Sequence, residues 1–170
     1  MDNTKLEIKL GFERIRRQVA ELCSTPSAKE LVGQMDFSTS AKEVEWRQSV
    51  AEEVRLALLT EPQFPKGEIV EFSIVVAKLA AQGSFLEADE LLLLSGGLKG
   101  VGEATRMFVA ARERYPLMAL ESEKVESFPD VVSHIDTLID RHGEVRDSAS
   151  AELYEIRRSI RAHEGQATKR

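Results

Sequence analysis

The sequence predicts an all-α fold: an irregular multi-helix bundle with long helices and at most a very short extended segment near residues 144–147. Three observations carry this. Apolar residues recur at three- and four-residue intervals in successive stretches, capping patterns stand directly before several of them, and no run of useful strand length alternates polar with apolar residues. With 42% apolar and 31% charged residues, and only five prolines and ten glycines in 170, the composition suits one packed helical domain.

Phe12, Ile15, Val19 and Leu22 mark an amphipathic helix over about residues 10–23, with Arg14, Arg16 and Arg17 off its apolar stripe. Thr25 then caps a short second helix that opens on Pro26, where no backbone donor is needed, and that buries Ala28, Leu31, Val32 and Met35. Ser40 and Glu43 form a capping box, so a long helix follows through Val44, Val50, Val54, Ala57 and Leu58 until Pro62 and Pro65 stop it. Trp46 flanks that stripe and reads as a partly buried packing residue rather than a base-stacking one, since no second aromatic lies near it. Ile69 to Gln82 forms a further helix. Ser84 and Glu87 suggest another capping box, opening the longest helix, which runs to Tyr115 before Pro116. A helical turn is expected over 117–120, and a helix over 130–142 ends at Gly143.

Four glycines interrupt the longest helix in Ser95-Gly-Gly-Leu-Lys-Gly-Val-Gly102. This is not a phosphate loop, because leucines precede the glycines and Lys99 is followed by Gly100 rather than Ser or Thr. Each glycine costs a helix about 1 kcal/mol relative to alanine, so the helix either bends here or another segment packs closely against it.

Several function classes fall away. Cys23 stands alone, which excludes an intramolecular disulfide and a thiolate metal site and fits a cytoplasmic protein. The most apolar run, Leu91 to Leu94, is far too short to span a bilayer, and no membrane partner is expected. His134, His142 and His163 lack metal-ligand spacing, and Asp136, Asp140, Glu144 and Asp147 lack a strand scaffold or matched base for a metal nuclease, so they read as caps and turns. No nucleophile elbow is present. The chain itself carries no catalytic residues, metal or cofactor site.

The net charge of −6 is uneven: residues 141–170 sum to +2 and the preceding 140 to −8. Weak nucleic-acid binding by this chain alone follows, because non-specific phosphate binding needs a basic surface. The basic end holds the most informative stretch, Gly143-Glu-Val-Arg-Asp-Ser-Ala-Ser-Ala-Glu-Leu153, followed by Ile156-Arg157-Arg158 and Ile160-Arg161. It resembles the G-x-V-x-D-S-A-S-x-E-L-x-x-I-R-x-x-I signature of the second MutS family, bacterial relatives of mismatch-repair MutS associated with suppressing recombination. That family often has proline where Ala151 stands, which makes Ser150 the helix N-cap. Leu10-Gly-Phe12 with Ile15, the Ser24-Thr25 break, Leu31, Val44 to Arg47, and Gly83-x-Phe85-Leu86 with Glu90-Leu91 resemble further family blocks.

The resemblance implies a core and lever region at the N-terminal end of a longer homodimeric protein. Residues 1–149 would form the helical core, within a single domain, and 150–170 the start of a lever or coiled-coil helix. A clamp, an ATPase using ATP and Mg²⁺, and commonly an endonuclease domain lie elsewhere in such proteins. The mismatch-reading N-terminal domain, with its Phe-x-Glu wedge, is not expected. Branched DNA is the implied partner, alongside the protein's own ATPase domain and a second subunit, and Arg157, Arg158 and Arg161 are the candidate phosphate contacts. Two alternatives stay open: binding of ribosomal RNA to split collided ribosomes, and a stand-alone helical scaffold for another protein.

Overall fold

The computed structural model describes residues 3–65 and 70–167. The regular structure of the described residues is helical apart from one isolated antiparallel bridge, between Ile139 and Val145. The helices are α1 (Asn3–Leu10), α2 (Phe12–Leu22), α3 (Pro26–Gly33), α4 (Ala41–Thr60), α5 (Ser73–Leu79), α6 (Ala88–Ala110), α7 (Pro116–Ser122), α8 (Pro129–Leu138) and α9 (Ala151–Ala167), with a 3-10 turn at Asp147–Ala149. Packing groups them into two compact units, 1–66 with 105–124, and 67–104 with 125–170.

In the first unit, Gly11 separates α1 from α2 in a left-handed conformation, φ 68°, which only glycine adopts freely. The expected α2 therefore starts after Gly11, and α1 is an element that the apolar spacing did not announce. Thr25 Oγ1 accepts the Ala28 amide and Ser40 Oγ the Glu43 amide, which start α3 and α4. The side chains assigned to the buried side of α3 lie differently: Ala28 and Val32 are half-buried, whereas Leu31 and Met35 are exposed. What α2 does bury is unexpected. Arg16 reaches Glu7 at 2.9 Å and the Met35 carbonyl at 2.6 Å while stacking on Phe12, so this guanidinium is a tie between segments.

The core of this unit is aromatic. Ala57, Phe64, Phe108 and Tyr115 are buried together, and Phe108 meets Phe64 and Tyr115 edge-on at centroid distances of 5.9 and 5.7 Å. Tyr115 Oη donates to Glu61 and lies 2.9 Å from Thr60 Oγ1, which satisfies a fully buried phenol. Glu53, on α4, accepts the Leu117 and Met118 amides at 3.1 and 2.8 Å and so caps α7 from a different helix. Trp46, expected to be partly buried, is 43% exposed.

In the second unit Val75, Leu94, Ile135 and Ile139 form the core, flanked by Phe72, Leu86, Leu91, Leu98 and Leu138. The glycine run lies inside α6, and the reason is contact: a Cβ on Gly97 would fall 2.1 Å from the ring of Phe72. The helix expected over 69–82 is shorter, α5 ending at Leu79, and Ile69 lies outside the described residues. Nor does α6 start at Ser84. It starts at Ala88, and the Glu87 amide donates to Glu90 at 2.8 Å, so the cap comes from within the helix and Ser84 lies in the preceding connection. At its other end α6 stops at Ala110, short of Tyr115.

Candidate nucleic-acid interface

The site expected at Arg157, Arg158 and Arg161 is built on a reversal of the chain. α8 ends at Leu138, four residues before the expected limit, because Ile139 is extended and joins Val145. Asp140 organises the turn: its carboxylate accepts the His142 and Glu144 amides at 2.8 and 3.0 Å, which holds it below the usual carboxylate range. Gly143, φ 80°, takes the left-handed position of this turn rather than closing α8. The Arg146 amide then bonds the Leu138 carbonyl, and Arg146 Nε bonds the carbonyls of Asp136 and Ile139, tying the returning strand to the open end of α8. The 3-10 turn follows, and Ser150 Oγ accepts the Leu153 amide at 3.1 Å to start α9.

The three arginines are not equivalent. Arg157 Nη1 donates to the Val145 carbonyl at 2.8 Å and to Asp147 at 2.6 Å, and Arg161 takes the other oxygen of the same carboxylate. Four residues apart on a helix, the two share a face and converge on Asp147. Two guanidinium groups, Arg157 first, hold the Asp147 carboxyl below its ordinary value. Arg158 points elsewhere: its only ion pair among the described residues is with Glu155 at 3.6 Å, and both side chains are about two-thirds exposed. Sequence reading named the arginines but not their carboxylate. The spacing contains the clue, since an Asp just upstream of a cap can fold back on basic residues about two and three turns into the helix.

The acidic interval does not converge. Asp136 is held by Lys99 at 2.9 Å and Ser95 at 3.3 Å, Lys99 being the main cause of its lowered pKa. Asp140 serves the turn, and Asp147 serves the arginines. Among the described residues, no group of three His, Cys, Asp or Glu side chains is placed to hold a metal ion. One open cavity of about 540 Å³ lies along α6, lined by Val70, Asp89, Leu92, Leu93, Gly96, Lys99 and Glu103. It assembles no nucleophile with a base. No helix of the described residues is long and apolar enough to cross a membrane.

No protein-family profile matches the chain. Individual proteins do, over almost all of it. They are named endonuclease MutS2. The chain is 30% identical over 152 residues to that of Symbiobacterium thermophilum, covering 89% of this chain and 19% of the relative. It is 30% identical over 166 residues to that of a Geobacillus species, covering 95% and 21%. The Pelotomaculum thermopropionicum protein is 28% identical over 166 residues, covering 98% and 21%. The chain thus spans about a fifth of the length of the MutS2 relatives it matches.

Proposed function

We propose that this chain is the N-terminal helical core of a MutS2-like, homodimeric ATPase that binds branched or recombination-intermediate DNA and suppresses recombination. In this reading residues 1–149 form the core and α9 begins a lever toward a clamp. The ATPase, its ATP and Mg²⁺, and any endonuclease centre lie in other segments, where the relatives have four-fifths of their length. One observation supports the lever in particular: Tyr154, Ile156 and Ile160 along α9 are each about half exposed, so the helix is tied near its start, where Arg157 meets Asp147 and the Val145 carbonyl, and is little covered beyond it.

DNA contact is assigned to the arginine face of α9, where Arg158 is the side chain best placed to meet a phosphate without rearrangement. The test is a titration of branched DNA with the full protein and with an Arg157→Ala, Arg158→Ala, Arg161→Ala variant at several salt concentrations. Weaker binding with a shallower salt dependence is expected, by about 0.9 in slope per lost duplex phosphate contact. Unchanged affinity and slope would remove the phosphate role, and co-sedimentation with ribosomes in place of DNA binding would move the target to ribosomal RNA.

A further inference from the structure

We propose that Asp147 is a built-in phosphate surrogate: its carboxylate engages one nitrogen of each guanidinium, Arg157 and Arg161, and competes with a nucleic-acid phosphodiester for the pair. The inference rests on the phosphate reading of α9 given above and adds a regulatory step to it.

The geometry has the form of an occupied anion site. Each oxygen of one carboxylate takes a different guanidinium, Arg157 Nη1 at 2.6 Å and Arg161 Nη2 on the other oxygen. A phosphodiester likewise presents two anionic oxygens on one atom, and arginine pairs such oxygens with the donor geometry it uses for carboxylates. Two cations against one anion leave a net positive charge, so the filled site still attracts a polyanion. It is also reachable. The side chains of Asp147, Arg157 and Arg161 are 39%, 37% and 61% exposed, and ion pairs so exposed are weak and screened by salt. Arg157 keeps a second acceptor, the Val145 carbonyl, which holds its stem in register while the charged partner changes.

Exchange has a mechanical consequence. The same two ion pairs bind α9 to the 3-10 turn before it, so a phosphate that takes the arginines also removes two of the ties at the base of the lever. Arg158, outside the latch, makes the first contact. Phosphate engagement at the arginine face and release of the helix are then two readings of one event.

The test uses the full protein and a fluorescent four-way DNA junction, with affinity followed across KCl concentrations. Asp147→Asn keeps the shape and removes the charge; it is expected to tighten binding roughly three- to tenfold, as befits the release of two weak exposed pairs. Glu126→Gln, an exposed acidic residue outside this cluster, controls for the change of net charge and is expected to shift affinity less than twofold. Asp147→Glu keeps the competing carboxylate and should bind like wild type. The gain must vanish when Arg157→Ala and Arg161→Ala are added to Asp147→Asn. A gain no larger than that of Glu126→Gln, or a loss of affinity with helicity intact by circular dichroism, overturns the latch. That failure is separable from failure of the phosphate reading: an unchanged affinity in the triple arginine variant refutes the reading itself, whereas weaker binding on Arg158→Ala with no effect of Asp147→Asn leaves the reading standing and removes only the latch.

Discussion

Replacing Gly97 by alanine sets two effects of opposite sign against each other, and the structure decides between them. Alanine favours a helix interior over glycine by about 1 kcal/mol, and Gly97 lies inside α6. Its new methyl, however, would stand 2.1 Å from Cδ1 and 2.7 Å from Cε1 of Phe72, well inside van der Waals contact. Overpacking of this kind costs about 1–3 kcal/mol, more when the obstacle is a ring that itself packs on the core. Gly97→Ala should therefore destabilise by about 1–2 kcal/mol net, a fall in Tm of roughly 3–6 °C for a chain of this length. Gly102, in the same helix, has nothing within 4 Å of the place a methyl group would take, so Gly102→Ala should gain close to the full helix preference and raise Tm. Adding Phe72→Leu to Gly97→Ala should return part of the loss. Thermal melts by circular dichroism of the wild type and these three variants suffice, and a Gly97→Ala protein as stable as Gly102→Ala would refute the close-packing account of the glycine run.

Removing the Tyr115 hydroxyl in Tyr115→Phe should cost about 1–2 kcal/mol in urea denaturation, since the bond to Glu61 is to a charged acceptor and Glu61 keeps only its exposed Arg114 partner. Ser150→Ala should weaken the start of α9 by about 0.5–2 kcal/mol, visible as faster amide exchange at Leu153 and Tyr154 with the aromatic core unaffected. The Asp147 pairing has a pH signature. Its carboxyl is lowered in the folded chain, so its contribution is present above the ordinary Asp value and is lost as pH falls through the lowered one. Amide protection in the first turns of α9 should be level from about pH 5 to 8 and fall only in the acid range; a loss near pH 6–7 would point to a histidine instead.

Helix starts that depend on neighbouring residues were the most legible features. Thr25, Ser40 and Ser150 each stand three residues before the amide they accept, a relation visible in the chain itself. Ser84 met the same pattern, but Glu90 binds the Glu87 amide and α6 starts later, so a local motif lost to a nearer one. Gly143 shows the limit of reading a glycine by position: a left-handed residue ends a helix or turns a hairpin, and only the Ile139–Val145 bridge and the amides gathered by Asp140 distinguish the two. The apolar spacing of α3 likewise did not report burial, because Leu31 and Met35 follow helical periodicity and yet are exposed. At the candidate interface the three arginines were legible by composition. Their division into a latched pair and a third residue outside the latch was not, since it requires the 3-10 turn to bring Asp147 back beneath α9.

The central claim is that the arginine face of α9 lies against nucleic acid in the working protein. A photo-crosslinking residue placed at Tyr154, exposed on α9 and one turn before Arg157 and Arg158 on the same face, tests it most directly, with a second protein carrying the same group at Glu126 for comparison. With branched DNA bound by the full protein, the account predicts a DNA adduct from position 154, diminished by the triple arginine substitution, and little or none from position 126. Equal adducts from both positions, or none from 154 under conditions where DNA is bound, would contradict it.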